Sequence, residues 1–206
     1  MAATVTKASR IRDPAASLRA RQFQCEMPHQ RRDTSAGFFH VWAHCVWAAG
    51  THYRDDHDRL EFLRHLARVT VETEWRCMGF CLMGTHYHLI VEVGDGVLPG
   101  AMQSLNHAYA LHFNRRHGLR GHVQSRRYGS RRIGGTEGLI PPYTYAMNNP
   151  VQAGLCTRAS FWKWSSFGGT VGLAPASSFV DDGPILGCFR TELDPRVALR
   201  RAVEES

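Results

Sequence analysis

Apolar positions change period several times along this chain, and each change marks an element. The run from Phe38 to Ala48 is aromatic-rich and partly alternating, which predicts a buried strand closed by Gly50. From Asp55 the pattern turns helical. Asp55 or Asp56 can cap the helix, and Leu60, Leu63, Leu66, Ala67 and Thr70 form a stripe at helical spacing. Two short apolar runs follow, residues 76–84 and 86–93, and Gly84-Thr85 between them predicts a hairpin. Residues 97–118 read as a second helix, with Met102, Leu105, Tyr109 and Phe113 on one side and Gly118 as the stop. Residues 121–133 read as a fourth strand with a basic face. The segment 136–149 reads as a third helix, begun or broken by Pro141-Pro142 and ended by Pro150.

The order β-α-β-β-α-β-α predicts an α+β fold. It is the ferredoxin-like, split βαβ antiparallel sheet with one added C-terminal helix, which carries Tyr145. Such a fold hosts many functions and decides none. Residues 1–35 are rich in Arg, Ala and Ser and read as a flexible basic arm. Residues 36–168 hold the folded region. Residues 169–206 turn Gly-, Ala- and Ser-rich and read as a tail with a weak helix near 195–204.

Composition narrows the partner. The formal charge is +7, and Lys7 and Lys163 are the only lysines among 25 basic residues. A basic, arginine-dominated chain suits a polyanion, because the planar guanidinium grips phosphate through two donors. A merely soluble basic protein has the same balance. No apolar run approaches the ~18 residues of a membrane span, and the first residues lack the apolar stretch of a secretory signal, so the expected location is the cytoplasm. The six cysteines are scattered, with Cys77 and Cys81 as a lone C-x3-C, so a disulfide framework is not expected and both read as buried strand residues.

Three features can carry chemistry. His86-Tyr87-His88 falls on a predicted strand, where alternation puts the two imidazoles on one face and Tyr87 on the other. Such a pair can bind one divalent metal or be two polar residues on a half-exposed strand. Tyr145 lies on the third helix with Asn149 one turn later on the same face, while Tyr143 points elsewhere. A tyrosine so placed is most often a core residue. Arg115, Arg116, Arg120, Arg126, Arg127, Arg131 and Arg132 form a run that no acidic residue interrupts. It reads as a phosphate-tracking surface or as a solvated basic face, with Tyr128, His117 and His122 among the arginines able to stack on bases.

Six pieces in one order resemble the HUH single-tyrosine transposases, and in detail the REP-associated tyrosine transposase group. FFHVWAHC is similar to the family's opening strand, and YRDDHDRLEFLRHL to the start of its first helix. CLMGTHYHLIVE resembles the strand bearing the histidine pair, and MQSLNHAYALHFNRRHGLRGHV the following helix and turn. YTYAMNNPVQAGL resembles the tyrosine helix with its Asn-Pro-x-x-Ala-Gly continuation, and WKWSSF the closing Trp-Ser-Ser motif. The resemblance covers about residues 37–168 and makes residues 36–168 the catalytic domain. It implies His86 and His88 as metal ligands, Tyr145 as nucleophile and Asn149 as a third ligand, with Mg2+ or Mn2+ bound. It implies attack on single-stranded DNA bearing a hairpin or palindrome, through a 5′-phosphotyrosine, by a monomer or homodimer. Two positions depart from the pattern. Gly84-Thr85 replaces the family's Pro-Asn before the first histidine, and Gln124 replaces an aromatic. These departures leave room for a second reading, a domesticated protein that grips structured single strands without cutting.

Overall fold

A computed structural model describes residues 33–45, 50–73, 75–124 and 127–206 of the chain. Most of the expected basic arm, and Arg126, lie outside the described residues.

Strand β1 spans Gly37–His44, β2 Arg76–Leu82, β3 His86–Val93 and β4 Gly129–Ile133. They form one antiparallel sheet in the order β2-β3-β1-β4. Helix α1, Asp56–Glu72, joins β1 to β2, and α2, Val97–His117, joins β3 to β4. The two βαβ units interleave, which is the split βαβ arrangement the pattern predicts. Strand β4 is shorter than expected. Beyond it toward the N-terminus, Gln124 makes only an isolated bridge to Cys45.

Local chemistry explains the helix ends. Asp55 caps α1 by accepting from the Asp58 N–H, and Asp56 and Asp58 sit in the first turn, where the helix dipole favours negative charge. Gly118 ends α2 with a left-handed φ of 63° and donates its N–H to the Asn114 carbonyl. The buried stripe of α2 contains all four expected residues. On α1 the buried face is rotated from the expected one: Phe62, Leu66 and Val69 are buried while Leu60 is 58% exposed. The Phe62 ring packs against Tyr53, Tyr87 and Tyr109, and this aromatic cluster sets the helix's rotation.

The sheet has two differently built faces. Phe39, Val41 and Ala43 of β1 and Tyr87, Leu89, Val91 and Val93 of β3 join the core under α1 and α2. The alternate positions face the other way, where Ile90 meets the third helix, α3, Ile140–Gln152. Pro141 and Pro142 open α3, where a missing N–H costs nothing. Pro150 does not end α3; it lies within the last turn, and Val151 and Gln152 continue the helix. So near the C-terminal end the lost hydrogen bond is a single one.

Cys77 belongs to the core beneath α1 and α2, and Cys81 to the core beneath α3, because the register shifts between Cys77 and Gly79. Both thiols are buried strand residues on opposite faces and share no ligand site.

The sequence reading takes residues 169–206 for a tail. Here they pack closely. Helices α4, Phe167–Thr170, α5, Gly183–Gly187, and α6, Pro195–Glu204, follow α3, and Ile185, Leu199 and Val203 are buried with Tyr143 and Met147. Their small number of apolar positions, spread over short helices, hides this packing from a window-based reading. The closing Trp-Ser-Ser segment runs along the free edge of β2: Leu82 N–H donates to the Trp164 carbonyl, Ser166 N–H to the Phe80 carbonyl, and Trp162 Nε1 to the Leu82 carbonyl. An edge strand that would otherwise expose backbone donors and acceptors is thereby covered.

Candidate functional site

The site forms where α3 crosses the polar face of the sheet. Cross-strand pairing sets His44 of β1 opposite His86 of β3, and Trp42 opposite His88. Directly paired residues share a face, so His40, His44, His86 and His88 all point toward α3. The His86 and His88 ring centres are 4.9 Å apart, and those of His44 and His86 are 5.0 Å apart. From the helix, Tyr145 meets the edges of His40 and His88 at centroid distances of 5.9 and 5.6 Å. Asn149, one turn on, places Oδ1 3.2 Å from His86 Nε2. The four residues singled out at Tyr145, His86, His88 and Asn149 therefore meet in one place.

Helix α3 is held there by close packing. Tyr143 is fully buried, and its ring covers Gly79 of β2, where a Cβ would come within 2.7 Å of Cε2. Tyr145, two positions on, turns the other way and is 38% exposed. Neighbouring Asn148 donates from Nδ2 to the Val203 carbonyl and the Ser206 hydroxyl. Two adjacent amides thus divide their work between anchoring the helix and lining the site.

All four histidines are held neutral. Burial, then the charge of Arg131, brings the His40 pKa down to about 4. Burial, then His44, brings His86 down to about 4, against a small opposing effect of the Asn149 hydrogen bond. His88 falls well below its ordinary value through burial and its histidine neighbours, and His44 is lowered by burial. A neutral imidazole keeps the lone pair that a metal needs.

The donor set fits a divalent cation. His88 Nε2 is buried and makes no hydrogen bond, while Nδ1 lies 2.9 Å from His40 Nε2. With Nδ1–H donating to His40, the Nε2 lone pair is left for a ligand. His86 Nδ1 lies 3.1 Å from the Thr85 hydroxyl, which accepts from Nδ1–H when Nε2 serves a metal and donates to Nδ1 when Nε2–H bonds Asn149 Oδ1. The departure at Gly84-Thr85 therefore supplies a partner to His86. His86 Nε2 and Asn149 Oδ1, 3.2 Å apart, match adjacent corners of an octahedron with ~2.1 Å bonds, about 3.0 Å apart.

His40 and His44 were not singled out from sequence. The signal was present, since alternation in FFHVWAH puts both on one face, but their use depends on register with β3.

The expected DNA-contacting residues separate. Arg131 pairs opposite His40 and shares the site's face. Arg115, Arg120 and Arg127 are exposed. Arg116 is engaged with Asp55 and Asp58 of the α1 N-terminus, and Arg132 with Asp33, Ser35 and the Ala36 carbonyl. Acids distant in sequence thus interrupt a run that looked uninterrupted. Tyr128 is 7% exposed in the core beneath α1 and α2, so its ring is not open to a base. His117 binds Asp58.

The split βαβ sheet crossed by a tyrosine-bearing helix is a fold shared with a solved transposase. Among solved structures, the chain is similar to a REP-associated tyrosine transposase bound to a REP hairpin, with a TM-score of 0.55 and 20% identity over 77% of this chain and 96% of that one. A transposase-like protein from Deinococcus radiodurans R1 aligns with a TM-score of 0.41 and 12% identity over 63% of this chain and 98% of that one. No protein-family model and no curated protein matches the chain. Among the described residues, no helix is long and apolar enough to cross a membrane.

Proposed function

We propose that this chain is a metal-dependent DNA strand transferase and nuclease of the single-tyrosine HUH type. Its substrate is single-stranded DNA bearing a hairpin. The observation that carries the reading is the convergence of His86, His88 and Asn149 beneath Tyr145, on a fold shared with a hairpin-bound transposase.

Tyr145 attacks the scissile phosphorus. Its phenol proton leaves to solvent, an O–P bond forms, the bond from phosphorus to the 3′ oxygen breaks, and that oxygen takes up a proton. The result is a 5′-phosphotyrosine and a free 3′ hydroxyl. The covalent link retains the phosphodiester for rejoining and divides one hard transfer into two steps. A Mg2+ or Mn2+ ion held by His86, His88 and Asn149 would polarise the phosphate and offset developing charge. His40 orients His88, and Thr85 orients His86. Arg131, on the same face, and exposed Arg115, Arg120 and Arg127 supply backbone contacts for the strand.

The test is covalent trapping. Labelled hairpin-bearing single-stranded DNA is incubated with the protein and Mn2+, then resolved under denaturing conditions. A protein-linked label is expected from the wild type and none from Tyr145→Phe. An adduct that survives Tyr145→Phe, or no adduct with hairpins carrying varied flanks, refutes the reading. Binding that persists in chelator without cleavage would instead establish a non-cleaving hairpin binder.

A further inference from the structure

A second group of potential ligands lies on the other side of the sheet. His57 and Glu61 are one turn apart on α1, and His112 faces them from α2. Glu61 Oε1 is 3.8 Å from His57 Nε2, and Glu61 Oε2 is 3.8 Å from His112 Nδ1. One ligand atom from each residue lies within 4.8 Å of the other two. The group shares no residue with the tyrosine site.

Its surroundings call for a cation. The Glu61 side chain is 7% exposed, on the helix face turned toward α2. A carboxylate so placed is costly unless paired. Among the described residues its guanidinium partner is Arg64, whose side chain is 73% exposed. His112 Nε2 is buried without a hydrogen bond. Arg116, one turn further along α2, is already committed to Asp55 and Asp58. Two imidazole nitrogens and one carboxylate oxygen, converging from two packed helices, form a ligand set suited to a late first-row ion such as Zn2+. Ligand atoms of a tetrahedral site with ~2.1 Å bonds are about 3.4 Å apart, against separations of up to 4.8 Å here, so the side chains close around the ion by up to about 1.4 Å.

We propose that His57, Glu61 and His112 form a structural zinc-type site that clamps α1 to α2, separate from the tyrosine centre. Water completes the coordination from the solvent side, where His57 is exposed. Binding to the folded chain alone raises stability, because the three ligands meet only when the helices pack.

The full-length chain, stripped of metal, is titrated with Zn2+ by calorimetry and followed by thermal melting. The variants are His57→Gln/His112→Gln, which removes the clamp, and His86→Ala/His88→Ala, which removes the proposed catalytic ligands. The His86→Ala/His88→Ala chain should still bind one equivalent and melt at a higher temperature with zinc. In His57→Gln/His112→Gln that upward shift should vanish, while DNA adduct formation in Mn2+ is unchanged. If the double variant folds poorly, Glu61→Gln with Co2+ gives a second readout: the visible absorption of a low-coordinate Co2+ site should weaken. Zinc binding abolished by His86→Ala/His88→Ala, or stabilisation that persists in His57→Gln/His112→Gln, overturns the proposal. Failure of the adduct assay with clamp binding intact would refute the strand-transferase reading and leave the zinc site standing.

Discussion

His52 makes the fold sensitive to acid in a way that can be worked out from its surroundings. It is fully buried among Tyr53, Tyr87 and Tyr109, with ring centres 5.3, 5.4 and 6.1 Å away. Neither ring nitrogen has a hydrogen-bond partner of good geometry, and the Ala43 backbone gives only a small opposing effect. Burial, followed by His86 and His44, lowers its pKa from 6.5 to about 3. The folded value is the lower one, so the unfolded chain binds the extra proton between these limits. Stability is therefore complete above pH 6.5 and falls as the pH drops toward 3. At pH 5 the loss from this residue alone is about 2 kcal/mol, a figure nearly independent of where below pH 4 the folded value lies. His52→Leu keeps an apolar group of similar volume and removes the titration. Urea unfolding in chelator at pH 8 and pH 5 compares the two chains. Other buried histidines weaken both at low pH, but the variant should lose about 2 kcal/mol less than the wild type between the two pH values. Equal losses would refute the assignment of a buried, unpartnered imidazole to this position.

Two further predictions concern the tyrosine site. His40→Ala leaves His88 Nδ1 without its partner, and loss of such an orienting group weakens metal affinity roughly 10- to 100-fold; adduct yield against Mn2+ concentration should shift by that factor and recover at high metal, whereas an unshifted curve would show that His40 does not orient His88. Gly79→Ala drives a methyl into the Tyr143 ring and should cost about 1–3 kcal/mol in urea unfolding, with a fall in adduct yield because α3 carries Tyr145, the proposed nucleophile; a variant as stable as the wild type would mean that α3 adjusts without strain.

Much of the fold was legible because its elements bury continuous periodic faces. The four apolar residues of α2 and the hairpin at Gly84-Thr85 are local patterns with one sensible reading. Tyr145 and Asn149 were visible as a helical pair, and His86 and His88 as a strand pair, but their meeting depends on how α3 crosses the sheet. The rest was hidden for the same reason. His40 enters the site through its strand's register with β3, and Arg116 and Arg132 find acids 58–99 residues away in sequence. The rotated face of α1 follows from the aromatic cluster around Phe62, which competes with a leucine stripe of equal local appeal. Gly79 reads as a strand defect until Tyr143 is placed above it.

Asn148 has a consequence for how such a protein can change over generations. The amide that lines the site and the amide bound by the last turn of α6 are consecutive residues on one helix. A substitution near Val203 that shifts the C-terminal helix by a fraction of an ångström is therefore felt at Asn149 and Tyr145 without touching either. Helix α6 acts as an adjusting screw for Tyr145, a place where drift can reset that ring while the residues around it stay the same.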